Sequence, residues 1–168
     1  MPSPTYFAIW TTVGLTRLAE AIASGHPVPF AYVAVGDGNG APITPAAGMT
    51  ALVHETARVQ TNDVSTLPAD PRTVRVEGLI PAATGGFTIR EAGVFNFAGE
   101  LLAIASYPPV YKPTPADGVS VQEYIRLLLQ PSDVTAVQLT VDTSVITATR
   151  LDVDDATAGK LALWEAFK

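Results

Sequence analysis

The residues best suited to chemistry begin with a glycine-rich segment, GDGNG, at residues 36–40. A phosphate-binding Walker loop would end in Gly-Lys followed by Ser or Thr, and an EF-hand loop would carry alternating acids closed by a later glutamate. Neither pattern is present. Because Asp, Asn and Gly tolerate backbone turns with positive φ, we interpret the segment as a turn rather than an ion-binding loop.

The histidines and the main cluster of aspartates also lack the spacing of a reactive site. His54 precedes Glu55, but the second histidine of a metalloprotease helix is missing, and neither His54 nor His26 fits a metal or triad pattern. The aspartates of residues 152–155 stand where a helix start favours negative charge. Cysteine is absent, which excludes thiolate metal sites and cysteine nucleophiles. We therefore expect no catalysis, no cofactor and no metal.

Glu91 is the carboxylate whose position most needs an explanation. It lies within GGFTIREAGVFNFAGELLAIA, residues 85–105, where strand alternation places it on an apolar face. An unpaired carboxylate there would cost several kcal/mol of desolvation. We predict a structural ion pair between Glu91 and Arg75 or Arg126, which lie on neighbouring predicted strands; a docking contact or a catalytic role is the alternative. Arg90 points to the opposite face and is free to contact a partner.

Length and charge limit the class of protein. The chain of 168 residues has the length of one domain, and its net charge of -6 offers no surface for nucleic acid or an anionic membrane. The N-terminus lacks the features of a secretory signal, and no apolar stretch approaches membrane-spanning length, so we expect synthesis in a cytoplasm. Charged residues make up only 15% of the chain, which is typical of a protein with surface buried in an assembly.

Hydrophobic periodicity predicts one N-terminal helix and a series of strands. The helix spans residues 12–24, begins near Thr12 and stops at Gly25, and its predicted buried stripe comprises Leu15, Leu18, Ala19, Ile22 and Ala23. Period-two alternation follows residue 70, and a hairpin turns at residues 98–100. The strands are predicted at residues 30–35, 73–80, 87–97, 101–107, 121–130 and 136–142. Residues 41–56 are too broken by proline and glycine for a prediction.

These elements predict an α+β fold, a mainly antiparallel sheet with one N-terminal helix packed on it and a C-terminal helical tail. We place the domain at residues 1–149 and the tail at residues 150–168. In the tail, a spacing of three and four residues is typical of a coiled-coil seam between copies. An ordinary amphipathic helix or a frayed end is the alternative. The seam would comprise Val153, Ala156, Leu163 and Phe167, with the stem of Lys160.

Five segments of the chain, in order, resemble the amino-terminal domain of phage tail-collar fibre proteins. They occur in family order and extend from near the start of the chain to about residue 155, so the resemblance covers nearly the whole domain. A lone Gly-Asp-Gly would be a weak signal, whereas five ordered segments are specific. The segments are TTVGLTRLAEA (11–21), VAVGDGNG (33–40), GGFTIREAGVFNFAGELLAIA (85–105), YKP (111–113) and VQLTVDTSVITATRLDVDD (137–155).

The resemblance implies a structural role in the virion: the domain fixes a fibre to the baseplate of a contractile phage tail or tail-like particle. Its implied partners are a baseplate protein, further copies in a homotrimer, and a fibre shaft or a separate receptor-binding protein. Because the chain stops at Lys168, where a family member would begin its shaft, a truncated fibre and a short adaptor both fit. A fibre-assembly chaperone and a carbohydrate-binding receptor module are the competing functions.

Irregular segments on a rigid sheet usually carry binding, so we expect the loops to dock. The first is the turn at residues 36–40, with Asp37 and Asn39, and Arg90 lies on the strand described above. The second is the proline-rich segment at residues 106–118; a proline-stiffened crossover without a binding role is its alternative. Its candidate docking residues are Tyr111 and Lys112.

Overall fold

The computed structural model describes residues 6–130, which form a seven-stranded antiparallel sheet with one α-helix packed on it. The strands lie in the order β1-β6-β5-β2-β3-β4-β7, and the sheet curls until its edge strands β1 and β7 contact each other. The strands are β1 (Ala8–Trp10), β2 (Tyr32–Gly36), β3 (Glu55–Leu67), β4 (Asp70–Ile80), β5 (Phe87–Phe95), β6 (Leu101–Lys112) and β7 (Glu123–Leu129), and the helix α1 is Thr12–Ser24.

The predicted α+β class is wrong, because the fold is mainly β. Strand accounts for 48% of the structure and helix for 15%, the latter including two short 3₁₀ turns. The prediction missed β3, whose 13 residues are mostly polar and bury only Val64 fully. No helical tail is shown: residues 150–168, the predicted seam and the predicted strand at residues 136–142 lie outside the described residues.

Apolar residues that alternate along the strands build two cores. The larger core lies inside the curl and draws on all seven strands, for example Val33 of β2, Val76 of β4 and Leu127 of β7. The smaller core lies on the opposite face of β2, β5 and β6, where residues 41–54 cover Phe95 and its neighbours. The predicted β4 alternation and the hairpin joining β5 to β6 are confirmed. Residues 41–54 are therefore part of the smaller core.

The helix α1 has the predicted length, but it buries a different face. Its N-cap is Thr11 rather than Thr12, and Gly25 ends it in the left-handed conformation with φ of 67°. The residues buried against the sheet are Gly14, Leu18 and Ala21, and of the predicted stripe only Leu18 is among them. A Cβ on Gly14 would overlap the backbone of Leu102 on β6. The absence of a side chain at Gly14 therefore lets the helix approach the sheet closely at this point.

An ion pair fastens α1 to the turn between β5 and β6. Arg17 donates from Nε and Nη2 to the two carboxylate oxygens of Glu100, at 2.8 and 2.6 Å, and Asn96 donates to the same carboxylate at 2.6 Å. These bonds, from Arg17 first and then Asn96, lower the pKa of Glu100 to about 2.

In residues 6–130, no helix has the length and apolar character needed to cross a membrane.

Candidate docking surface

The segment at residues 37–40 is a tight turn directly after β2. Gly38, Asn39 and Gly40 all have positive φ, at 62°, 55° and 83°. The Asp37 side chain accepts a hydrogen bond of 2.9 Å from the Asn39 amide, which fixes the start of the turn. A non-glycine residue with positive φ is uncommon, and Asn is among the residues that adopt it most readily. The turn predicted from the sequence is confirmed.

His54 contacts this turn, which its sequence position does not indicate. Its Nδ1 lies 2.8 Å from Asp37 Oδ1, and its carbonyl oxygen accepts a hydrogen bond of 3.2 Å from the Asp37 amide. The hydrogen bond from His54 is the main cause that lowers the pKa of Asp37, with further help from the Asn39 amide and the charge of Arg90. The pair is seventeen positions apart in the sequence, so no local motif could have revealed it.

Glu91 is fully buried, and backbone amides rather than arginines bind its carboxylate. Oε2 accepts a hydrogen bond from the Val53 amide at 2.9 Å, and Oε1 accepts one from the His54 amide at 2.8 Å. Gly36 lies against this carboxylate, and a Cβ at Gly36 would overlap Glu91 Oε1. Glu91 therefore holds the end of the covering segment, residues 41–54, against the sheet.

The expected ion pair of Glu91 with Arg75 or Arg126 is not formed, because the sheet order separates these residues. Arg75 is on β4 and Arg126 is on the adjacent β7, whereas β2 and β3 lie between β4 and β5. Both arginines converge instead on Glu77 Oε1, from Nε atoms at 3.1 and 2.7 Å. These are close contacts between charges without hydrogen-bond alignment. Glu77 is directly opposite Arg126 in the β4–β7 register, which explains the choice of partner.

Arg90 lies beside the turn. Its Cβ would be 3.9 Å from a Cβ built on Gly38, and its charge acts on Asp37. Tyr111 is opposite Thr88, two residues before Arg90, and is 55% exposed. The structure therefore brings Asp37, Asn39, His54 and Arg90 together around the turn, with Tyr111 on the strand next to that of Arg90, and we call these five residues the docking surface.

Lys112 does not belong to the docking surface, because its side chain is only 1% exposed. Its ammonium donates hydrogen bonds to the carbonyl oxygens of Val121, at 2.6 Å, and Pro113, at 3.3 Å. The strand β6 continues to Lys112, so only the second half of the proline-rich segment is irregular. There Asp117 Oδ2 accepts hydrogen bonds from the Thr114 amide at 2.7 Å and the Tyr111 hydroxyl at 3.3 Å. Lys112 thus anchors the loop from within the chain.

The docking surface combines polar groups of several chemical types. Within residues 6–130, no three His, Asp or Glu side chains converge closely enough to hold a metal ion. Its groups, exposed or half-exposed, are a carboxylate, an amide, an imidazole, a guanidinium and a phenol, and they lie on a hydrogen-bonded turn, at the end of the covering segment and on the neighbouring strands β5 and β6. Groups of this kind recognise another protein through hydrogen bonds and charge.

The sequence of the chain matches a known family and a known protein. The model of the phage tail-collar fibre protein N-terminal family matches residues 3–151. The chain belongs to this family. A probable tail fiber protein of Escherichia phage P2 is 39% identical over 149 residues, which are 88% of this chain and 22% of the relative. The chain therefore spans about a fifth of the length of that tail fibre protein. No solved structure gives a significant match.

Membership of the family confirms the resemblance drawn from the five sequence segments, and it makes this chain a phage tail fibre protein. The matched range includes every described element, from β1 to β7. The curled sheet and its helix therefore belong to a tail-collar fibre domain.

Proposed function

We propose that this tail-collar fibre domain anchors a receptor-binding fibre, or a short adaptor for one, to the baseplate of a contractile phage tail or tail-like particle. The observation that carries the proposal is the family match over residues 3–151. We further propose that the domain works as a homotrimer and as a structural, non-enzymatic part of the virion. It would be made in the cytoplasm of the bacterial host and would bind neither nucleic acid nor membrane.

The geometry of the docking surface supports an anchoring role. A permanent attachment point needs groups that are ordered before the partner binds, because ordering them on binding would cost affinity. Asp37 is already held by His54 and Asn39, and the Tyr111 hydroxyl is already bonded to Asp117. Arg90 brings a guanidinium, which can bind carboxylates of a partner in a bidentate manner. The surface therefore offers a preorganised set of donors and acceptors.

The test is incorporation of variant protein into particles. We expect Arg90→Ala combined with Tyr111→Ala to reduce the amount of this protein on purified particles at least tenfold, while thermal unfolding stays close to wild type. The matched control is Arg72→Ala combined with Tyr124→Ala, which removes another arginine and another exposed tyrosine from β4 and β7. Wild-type incorporation of the Arg90 and Tyr111 variant would remove the docking surface from the proposal.

The competing functions predict different locations and ligands. A fibre-assembly chaperone would be abundant in the lysate and absent from finished particles. A carbohydrate-binding receptor module would bind host glycan as an isolated chain. Quantifying the protein on particles by immunoblotting, together with a glycan-binding measurement, separates both from an anchoring domain.

A further inference from the structure

An open cleft lies where the C-terminal half of α1 meets the turn between β5 and β6. Its volume is about 330 Å³, which is within the range of ligand-binding clefts. The cleft includes Asn96, directly after β5, and Arg90 of the docking surface lies six positions earlier, roughly 20 Å away along the strand. The cleft is therefore separate from the docking surface. Part of its wall is apolar and is formed by Ala21, Pro27, Pro29 and Ala98.

The charged side chains of the cleft leave an excess of negative charge. The carboxylates of Glu20 and Glu100 both pair with Arg17, at 2.7 and 2.6 Å, so two negative charges share one positive charge. Hydrogen bonds from Arg17 and then Asn96 lower the pKa of Glu100 to about 2, so this carboxylate is ionised at neutral pH. With His26 neutral, the cleft carries one uncompensated negative charge.

The C-terminus of α1 adds to this negative potential. The last carbonyl groups of a helix carry a partial negative charge, which a lysine or arginine in the last turn stabilises. The last turn of α1 contains no basic residue, and Ala21 and Ser24 from this turn line the cleft. The negative end of the helix therefore lies beside the cleft without a basic residue of its own last turn to offset it.

One carboxylate oxygen in the cleft is available to a new donor. Glu20 Oε2 accepts a hydrogen bond of 2.7 Å from Arg17, whereas no hydrogen bond within residues 6–130 reaches Glu20 Oε1. The Glu20 side chain is 57% exposed, so a group of another molecule can reach this oxygen. Both oxygens of Glu100 already accept hydrogen bonds from Arg17. Glu20 is therefore the carboxylate that an entering cation would contact.

We propose that the cleft binds an arginine side chain of a partner protein. A cation complements the excess negative charge, the end of the helix and the free oxygen of Glu20 together. The apolar part of the wall suits the methylene stem of a long basic side chain. Arginine fits better than lysine because its guanidinium is more weakly hydrated, and because interfaces between proteins are enriched in arginine and depleted of lysine.

The cleft gives the domain a second contact point beyond the docking surface. Naming the partner as another protein of the phage tail rests on the proposed function, whereas the chemistry of the cleft does not. The chain carries a net charge of -6, so it attracts cations in general. A test must therefore separate binding in the cleft from this general attraction.

A blocked arginine tests the charge of the occupant. The probe is N-acetyl-arginine methylamide, and its matched control is N-acetyl-citrulline methylamide, which has nearly the same shape without the charge. At about pH 8, where an ordinary histidine is neutral, the arginine probe should shift the amide NMR signals of Ser24, Gly25 and Ala98 in the purified full-length protein. The citrulline probe should bind about fivefold more weakly, as expected for a partly exposed charge contact. Equal binding of the two probes, or no saturable shift at these amides, would overturn the proposal.

Glu20→Gln tests the carboxylate that the proposal assigns. We expect this variant to bind the arginine probe about fivefold more weakly. The matched control is Glu55→Gln, because Glu55 also pairs with an arginine three positions away on the surface, and it should bind the probe as wild type does. Unchanged binding by Glu20→Gln, or shifts around Glu55 as large as those at the cleft, would contradict the proposal. Should Glu20→Gln fail to fold in a thermal melt, the comparison of the two probes decides alone.

This test separates the inference from the proposed function, because probe binding is measured on the purified chain and needs no tail. Specific binding of the arginine probe, together with particles that lack the protein, would support the cleft and refute the anchoring role. Particles that carry the protein, combined with no specific probe binding, would refute the cleft and leave the anchoring role supported.

Discussion

Replacing Glu91 with glutamine removes the charge that holds the covering segment, residues 41–54, on the sheet. The side chain keeps its size, but its amide group now points at a backbone amide, so one of the two bonds to Val53 and His54 is lost. The other bond becomes a neutral hydrogen bond. Hence Glu91→Gln tests a charge and a bonding pattern rather than a volume.

The magnitude follows from the bonds that change. A hydrogen bond to a charged group contributes about 1.5–3 kcal/mol, and a neutral one contributes about 1 kcal/mol. Losing one and weakening the other costs roughly 2–4 kcal/mol, and the smaller desolvation cost of a neutral side chain offsets part of this. We expect a net loss of about 2 kcal/mol, or a melting temperature lowered by roughly 4–8 °C for a domain of this size.

The assay combines urea denaturation with hydrogen exchange. Faster exchange at the amides of Val53 and His54 would show that the covering segment opens. The control is Glu55→Gln, an exposed carboxylate paired with Arg58 on the surface, which should change stability by no more than about 0.5 kcal/mol. Stability of Glu91→Gln within that range, or unchanged exchange at residues 53 and 54, would refute the reasoning.

Three further predictions follow from other contacts. The pKa of Glu100 falls from 4.5 to about 2 in the folded protein because of Arg17, so its contribution to stability is present above pH 4.5 and is lost as the pH falls towards 2. Melting temperatures across this range should therefore fall less steeply in Glu100→Gln. Gly14→Ala should destabilise the domain in a thermal melt, although alanine favours a helix by about 1 kcal/mol, because its Cβ overlaps the backbone of Leu102. Lys112→Met should keep the fold but release the following loop, which limited proteolysis would detect as new cleavage within residues 113–122; resistance equal to wild type would contradict the anchoring contact.

The sequence predicted those elements whose pattern is local. β4 has apolar residues at alternate positions, and the turn at residues 98–100 separates two apolar segments, so period two located β4 and the turn located the hairpin of β5 and β6. β3 was missed because it lies in the sheet with polar residues on both faces and buries only Val64 fully. Its position in the sheet is set by pairing with β2 and β4. The composition of β3 alone does not show this pairing.

The helix shows why periodicity gives a helix without giving its buried face. The predicted stripe joins Leu18, which the sheet buries, to Leu15 and Ile22, which stay half-exposed. The structure buries Gly14 and Ala21 beside Leu18, because Gly14 permits a close approach to the sheet. Small residues are weak signals in a hydrophobic pattern, yet here they decide the packing.

The docking surface was predictable only in part. Asp37 and Asn39 were visible as turn residues, and Arg90 as a charge beside a buried carboxylate. His54 was not, since its place depends on a segment whose path is fixed by Glu91. The partners of Glu91 could not be predicted from the sequence either. They are backbone amides, which almost every residue has, so the residue types do not show which amides bind. The family, in contrast, was recognisable because five segments of the chain match it in the same order.

The most direct measurement of the central claim is to image purified particles that carry this protein with a gold-binding tag after Lys168. The account predicts label at the rim of the tail baseplate, in groups of three, and loss of that label in the Arg90→Ala and Tyr111→Ala variant. Particles without label, despite abundant tagged protein in the lysate, would contradict it.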